Sequence, residues 1–228
     1  MSDHEQELIW NYEGNKKWDK NLITKKIKVL KDNEIYRVAD VKKFLKSHPV
    51  VREILRSKKY KKTLLRKYFQ GNYMDLYDVI VENKDTYNLK YFDDDYVVVH
   101  LRTGDDLKER GLTIPNMVKI LKKLKQYDKD KKVIIITAMH YGHHRTSNKF
   151  YSSKNWCYND ENYKENIKRI HYFISKLEHE LYDIVSNENI DYDIMHLTFC
   201  KNLVFCESSG AFANAVGEWH QKYFNLDS

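Results

Sequence analysis

The spacing of apolar residues changes character about ninety residues into the chain. Before that point, apolar positions such as Val41, Phe44, Leu45, Ile54, Leu55, Leu64 and Leu65 recur at helical spacing among lysines. They predict short helices at 38–46, 50–57, 61–69 and 73–82 whose apolar faces belong to a core. Pro49 separates the first two, and Gly71 precedes the last. From residue 96 the pattern alternates between short β-branched runs and longer helical stretches. Strands are expected at 96–101, 132–138, 191–197 and 203–206. Helices are expected at 114–127, where Pro115 suits a first turn, from about 163 to 186, and from about Gly210 onward. A polar loop should occupy 139–161. Strand–helix–strand alternation with crossovers of this length is the pattern of a parallel sheet wound with one hand. The expectation is therefore an α/β fold with a Rossmann-like parallel sheet over 91–228 and a mostly helical N-terminal region over 1–90.

Composition narrows the partners. The net charge of +7 favours an anionic ligand such as a nucleotide, a phosphosugar or a nucleic acid. Most of the excess is lysine along helical stretches, however, which reads as a solvated face. Lys58-Lys59-Tyr60-Lys61-Lys62, with Arg56 and Arg66, is read the same way, so nucleic acid is not the expected partner. Cys157, Cys200 and Cys206 lack the spacing of a disulfide framework or a zinc site, which fits a reducing compartment. Residues 1–14 are polar and acidic, unlike a signal peptide. No stretch approaches the roughly 20 apolar residues of a membrane helix. A cytoplasmic protein with no membrane span is expected.

Two segments carry chemistry. The first, Val97-Val98-Val99-His100-Leu101-Arg102-Thr103-Gly104-Asp105, runs from a buried strand into a turn. It sets His100 and Arg102 at the carboxyl end of a parallel strand, where open α/β sheets bind ligands. A guanidinium there is suited to phosphate, because its planar fork donates two parallel charge-assisted hydrogen bonds. The second, Leu203-Val204-Phe205-Cys206-Glu207-Ser208-Ser209-Gly210-Ala211, runs from a strand into the start of a helix. It offers hydroxyls and backbone N–H groups to an anion at a helix amino terminus, although serine there is also an ordinary cap. His140, His143 and His144 match no standard metal spacing, and no metal is expected. Asp93 and Asp95 read as a turn ahead of a strand.

The run His100-Leu101-Arg102-Thr103-Gly104-Asp105 resembles the HxRxGD-type motif of the fucosyltransferase superfamily. The segment from Asp193-Ile194-Met195-His196-Leu197 through Ser208-Ser209 is similar to the donor-binding segment of its α1,6 group. The resemblance covers roughly residues 95 to 220, the donor-binding half of a GT-B glycosyltransferase. It implies a GDP-sugar donor, usually GDP-fucose, a glycan acceptor and an inverting displacement that uses no metal or other cofactor. Arg102 matches the arginine that clamps the diphosphate and stabilises charge on the departing GDP. His100 and Asp193 match positions near the guanosine, where a carboxylate can accept from guanine N1–H and the exocyclic amine. Gly104 and Gly210 would also belong to the donor-binding set, and Ser208 and Ser209 would hold phosphate oxygens. Many members carry two consecutive arginines, whereas the second position here is Thr103. The general base is assigned by chemistry to Glu109 or Asp105. The first 90 residues are short for an acceptor domain, so a non-catalytic nucleotide- or glycan-binding module on the same fold is the alternative.

Overall fold

Val97, Val98 and Val99 are each no more than 1% exposed, so the strand they form is covered on both faces. A run without polar alternation is what such a strand requires. In the computed structural model it is β1 (Tyr96–His100), and the structure describes residues 17–27, 77–90, 93–103, 111–137, 160–186, 190–205 and 211–225. β1 lies between β2 (Lys132–Ile136) and β4 (Leu203–Phe205), and β2 pairs with β3 (Leu181–Val185). All three pairings are parallel, giving the order β3-β2-β1-β4.

Helices cover both faces of this sheet. On one face, α3 (Ile114–Leu124) and α4 (Asp160–Ser175) pack Met117, Ile120, Ile170 and Phe173 against Val97, Val99, Val133 and Ile135. On the other, α5 (Ile190–Phe199) and α6 (Ala211–Phe224) pack Met195, Leu197, Val216 and Trp219 against Val98, Ile134 and Ile136. The chain steps from β1 to β2 to β3 with helices on the first face. It then reverses past β1 to β4 with helices on the second, as crossovers of one hand require.

The described parts of the first ninety residues are packed on the sheet. α1 (Lys20–Lys26) is capped by Asp19, whose carboxylate accepts the Leu22 N–H at 2.7 Å, and it buries Ile23 completely. Beside it, Trp18 Nε1 donates to the Leu181 carbonyl at 3.2 Å and Lys26 pairs with Asp183 at 2.6 Å. Residues 17–27 thereby guard the outer strand β3, whose free edge would otherwise offer a template for pairing. The helix α2 (Tyr77–Glu82) and a 3-10 turn at Lys84–Thr86 lie on the second face, where Ile80 and Leu89 join the core. Lys84 Nζ donates to Tyr223 Oη at 2.6 Å, and Lys222 sits 4.0 Å from the Tyr77 ring centroid.

Two expectations need correction. Residues 191–197 form no strand; they lie within α5. Asp193 through Cys200 are all buried, so the helix has no polar stripe and its sequence reads like a strand covered on both sides. The helix expected to run to 186 ends at Ser175, and 181–185 is β3 instead. That strand carries half-exposed Tyr182 and the ion-paired Asp183, which break the alternation by which a strand is recognised. α1 at Lys20–Lys26 and the 3-10 turn at Lys84–Thr86 were not expected; the other strands and helices fall where expected to within a few residues, α2 being the last part of the helix expected at 73–82. The helices expected at 38–46, 50–57 and 61–69 lie outside the described residues, as does nearly all of the loop expected at 139–161.

At the amino ends of the strands Asp94 gathers three connections. Its carboxylate lies 2.7 Å from Lys131 Nζ and 2.9 Å from Lys201 Nζ, and it accepts from Asn202 Nδ2 at 3.1 Å. Those hydrogen bonds hold the Asp94 carboxyl well below the usual carboxylate range. The same Asn202 amide donates to the Tyr96 carbonyl at 2.8 Å, so the starts of β1, β2 and β4 are tied together.

Candidate functional site at the carboxyl ends of β1 and β4

His100 ends β1 and is in register with Phe205, the last residue of β4. β1 is the strand from which the winding departs in both directions, so its junction with β4 is the topological switch point of the sheet. In open α/β folds the crevice outside this point is where ligands bind. Arg102 stands two residues past His100 and is half-buried. The chain that runs on into Ser208, Ser209 and Gly210 leaves from the neighbouring strand tip. Those three residues, together with Gly104, Asp105 and Glu109, lie outside the described residues, as do His140, His143 and His144.

The backbone around Arg102 is held by the end of β2. The Leu101 N–H donates to the Ile136 carbonyl at 3.0 Å, and the Thr137 hydroxyl donates to the Leu101 carbonyl at 2.8 Å. The Thr103 and Thr137 hydroxyls lie 2.9 Å apart, and both residues are no more than 1% exposed. The Thr103 side chain is thus directed into the protein. A guanidinium at Thr103 would have to displace this buried contact.

Asp193 occupies the first turn of α5, with 8% exposure, rather than a strand. Because α5 starts after the carboxyl end of β3 and runs back to the start of β4, its first turn lies on the same end of the sheet as Arg102. A carboxylate also suits a helix amino terminus on electrostatic grounds. One turn further on, His196 Nε2 accepts the Lys90 N–H at 3.1 Å, while Tyr192 Oη donates to the Asn88 carbonyl at 3.2 Å. The Tyr192 and His196 rings meet edge to face with centroids 4.3 Å apart. These contacts clasp residues 88–90 to α5 just ahead of β1. Burial drives the His196 pKa down to about 4. The ring is therefore neutral near pH 7. Burial also lowers the pKa of His220, whose Nδ1 lies 3.3 Å from the Thr198 carbonyl.

Sequence pattern alone gives His196 and Thr137 no role. His196 lies inside the run Asp193 to Leu197, but nothing in its spacing indicates the Lys90 contact across more than a hundred residues. The signal for Thr137 was present: a single hydroxyl directly follows Val133-Ile134-Ile135-Ile136.

The remaining acidic and open features lie elsewhere. Asp93 Oδ1 accepts the Asp95 N–H at 3.3 Å, the turn ahead of β1 that the sequence suggests. A cavity of about 430 Å³ opens between Lys17, Trp18, Leu177, His179 and Leu181. It is at the amino end of β3, the opposite end of the sheet from Arg102, and takes no part in this site. Among the described residues, no cluster of three or more His, Cys, Asp or Glu side chains is placed to hold a metal ion, and no helix is long and apolar enough to cross a membrane. Comparison of the chain with protein-family models, with curated proteins and with solved structures gives no match.

Proposed function

We propose that the chain grips the diphosphate of a GDP-sugar at the β1–β4 strand tips and transfers the sugar to a glycan hydroxyl. In this reading it is a fucosyltransferase-like enzyme whose sheet is the donor-binding half of a GT-B fold. The observation that supports it is the parallel pairing of β1 with β4, in register at His100 and Phe205. Arg102 and the chain leading to Ser208-Ser209-Gly210 therefore leave from neighbouring tips at the switch point.

The chemistry is an inverting displacement. The acceptor oxygen bonds to the anomeric carbon as the bond from that carbon to the diphosphate oxygen breaks, and GDP leaves with the electron pair. The acceptor proton passes to a carboxylate, Asp105 or Glu109. Arg102 lowers the barrier by countering the charge that grows on the leaving phosphate. His100 and Asp193 would meet the guanosine, Asp193 from the first turn of α5. Gly104, Ser208, Ser209 and Gly210 would line the phosphates.

Calorimetry against GDP, UDP, ADP and CMP tests the donor, with GDP expected to bind most tightly. Arg102→Ala is expected to abolish turnover of GDP-fucose while the thermal unfolding transition stays in place. A variant that keeps the full rate would overturn the mechanism. One observation favours a second reading, a binding module without transfer. Residues 17–27 and 77–90 are committed to covering the sheet, which leaves less of the first ninety residues for an acceptor. GDP binding with neither transfer nor hydrolysis of GDP-fucose would select the module.

A further inference from the structure

From the contacts at the ends of β1 and β2 we infer that the Thr137 hydroxyl is a positioning group for Arg102. This rests on the proposed diphosphate role of that arginine and adds the device that aims it. A hydroxyl has one proton to donate and two lone pairs with which to accept. Thr137 gives its proton to the Leu101 carbonyl at 2.8 Å, so the 2.9 Å contact with Thr103 has Thr103 as donor and Thr137 as acceptor. One oxygen thus holds the residue before Arg102 and the residue after it. The Leu101 N–H, bonded to the Ile136 carbonyl, adds a third tie to the same strand end.

Consecutive residues of an extended chain face opposite ways. Leu101 and Thr103 are buried and Arg102 is half-exposed, so the tie lies on the inner side of the segment whose outer side carries the guanidinium. Volume alone does not call for threonine here. Valine has nearly the same shape, and the buried positions of β1 and β2 are all valine or isoleucine. What valine lacks is the hydroxyl, and losing it would break the bonds to the Leu101 carbonyl and the Thr103 hydroxyl together. A displacement of an ångström in a group that clamps a phosphate is enough to weaken binding severalfold or more.

The test compares wild type, Thr137→Val and Thr137→Ser by GDP calorimetry and by amide hydrogen exchange. Thr137→Val is expected to weaken GDP binding about tenfold, and Thr137→Ser, which restores the oxygen without the methyl group, to bind within about twofold of wild type. Exchange at the Leu101, Arg102 and Thr103 amides should quicken in the valine variant alone, while Val97 to Val99 stay protected in all three. Valine binding as tightly as threonine, or serine binding as weakly as valine, overturns the inference. If wild type itself does not bind GDP, the proposed function fails separately. The tie is then decided by exchange: quickening confined to 101–103 in the valine variant upholds it, and unchanged exchange overturns it.

Discussion

Acidification from pH 7 to pH 5 should withdraw about 2 kcal/mol of folding stability through His196 alone. In the unfolded chain this imidazole titrates near its ordinary value of about 6.5. In the native protein it is 1% exposed, and burial moves its pKa to about 4. Between those values the unfolded state binds a proton that the folded state refuses. Stability is therefore complete above about 6.5, and it drains as the pH falls toward 4 with a limiting slope of about 1.4 kcal/mol per unit. Integrating between pH 7 and pH 5 with these two values gives roughly 2 kcal/mol. The perturbation that isolates it is His196→Gln, which keeps an acceptor for the Lys90 N–H and does not titrate. Urea unfolding followed by tryptophan fluorescence at pH 7, 6 and 5 measures both proteins. His220 shares the direction of shift but is common to the two, and subtraction removes it. Asp94, Glu178 and Glu180, whose lysine partners lower their pKa values, release their contributions chiefly below the ordinary carboxylate range and cancel in the same way. Stability curves for wild type and variant that stay parallel across the three pH values would refute the reasoning.

Other substitutions probe the frame around the strand tips. A methyl group at Gly217 would stand 2.8 Å from Phe205 Cζ, so Gly217→Ala should destabilise by about 1 kcal/mol despite alanine's better helix propensity. In a Phe205→Leu background the same change should become stabilising, which chemical denaturation of the four proteins checks. Trp18→Ala removes a buried ring and the donor to Leu181, with an expected loss of about 3–5 kcal/mol and increased aggregation seen by light scattering. Arg169 is fully buried, pairs with Glu165 at 2.8 Å and donates to the Leu112 carbonyl at 3.2 Å. Arg169→Met alone should lose about 3–5 kcal/mol, and Arg169→Met with Glu165→Leu should recover much of it in calorimetric unfolding.

Much of the sheet was legible because its central strands announce themselves. Val97 to Val99 and Val133 to Ile136 are short β-branched runs bounded by polar turns, and burial on both faces leaves such runs with nothing polar to confuse them. The outer strand was hidden by its position at an edge. Tyr182 meets solvent and Asp183 answers Lys26, so the segment reads as the tail of the preceding helix. The opposite error befell 191–197, where a helix buried all round imitates a strand. For the site, the legible part is whatever a single strand end dictates, such as Arg102 two residues past His100. The pairing of β1 with β4 and the contact of Thr103 with Thr137 join residues held by different crossovers. Local pattern carries no record of which crossover returns to which neighbour.

The guard on β3 has a temporal consequence. Trp18 and its partner Leu181 are separated by 163 residues, and Lys26 and Asp183 by 157. At a synthesis rate of about 5–20 residues per second, the guarding segment waits roughly 10–30 s on the ribosome before the strand it shields exists. During that interval Ile23 and Trp18 have no hydrophobic berth. A nascent chain of this protein must spend that time with Trp18 and α1 parted from the strand they guard, in the care of whatever holds unfinished polypeptides apart.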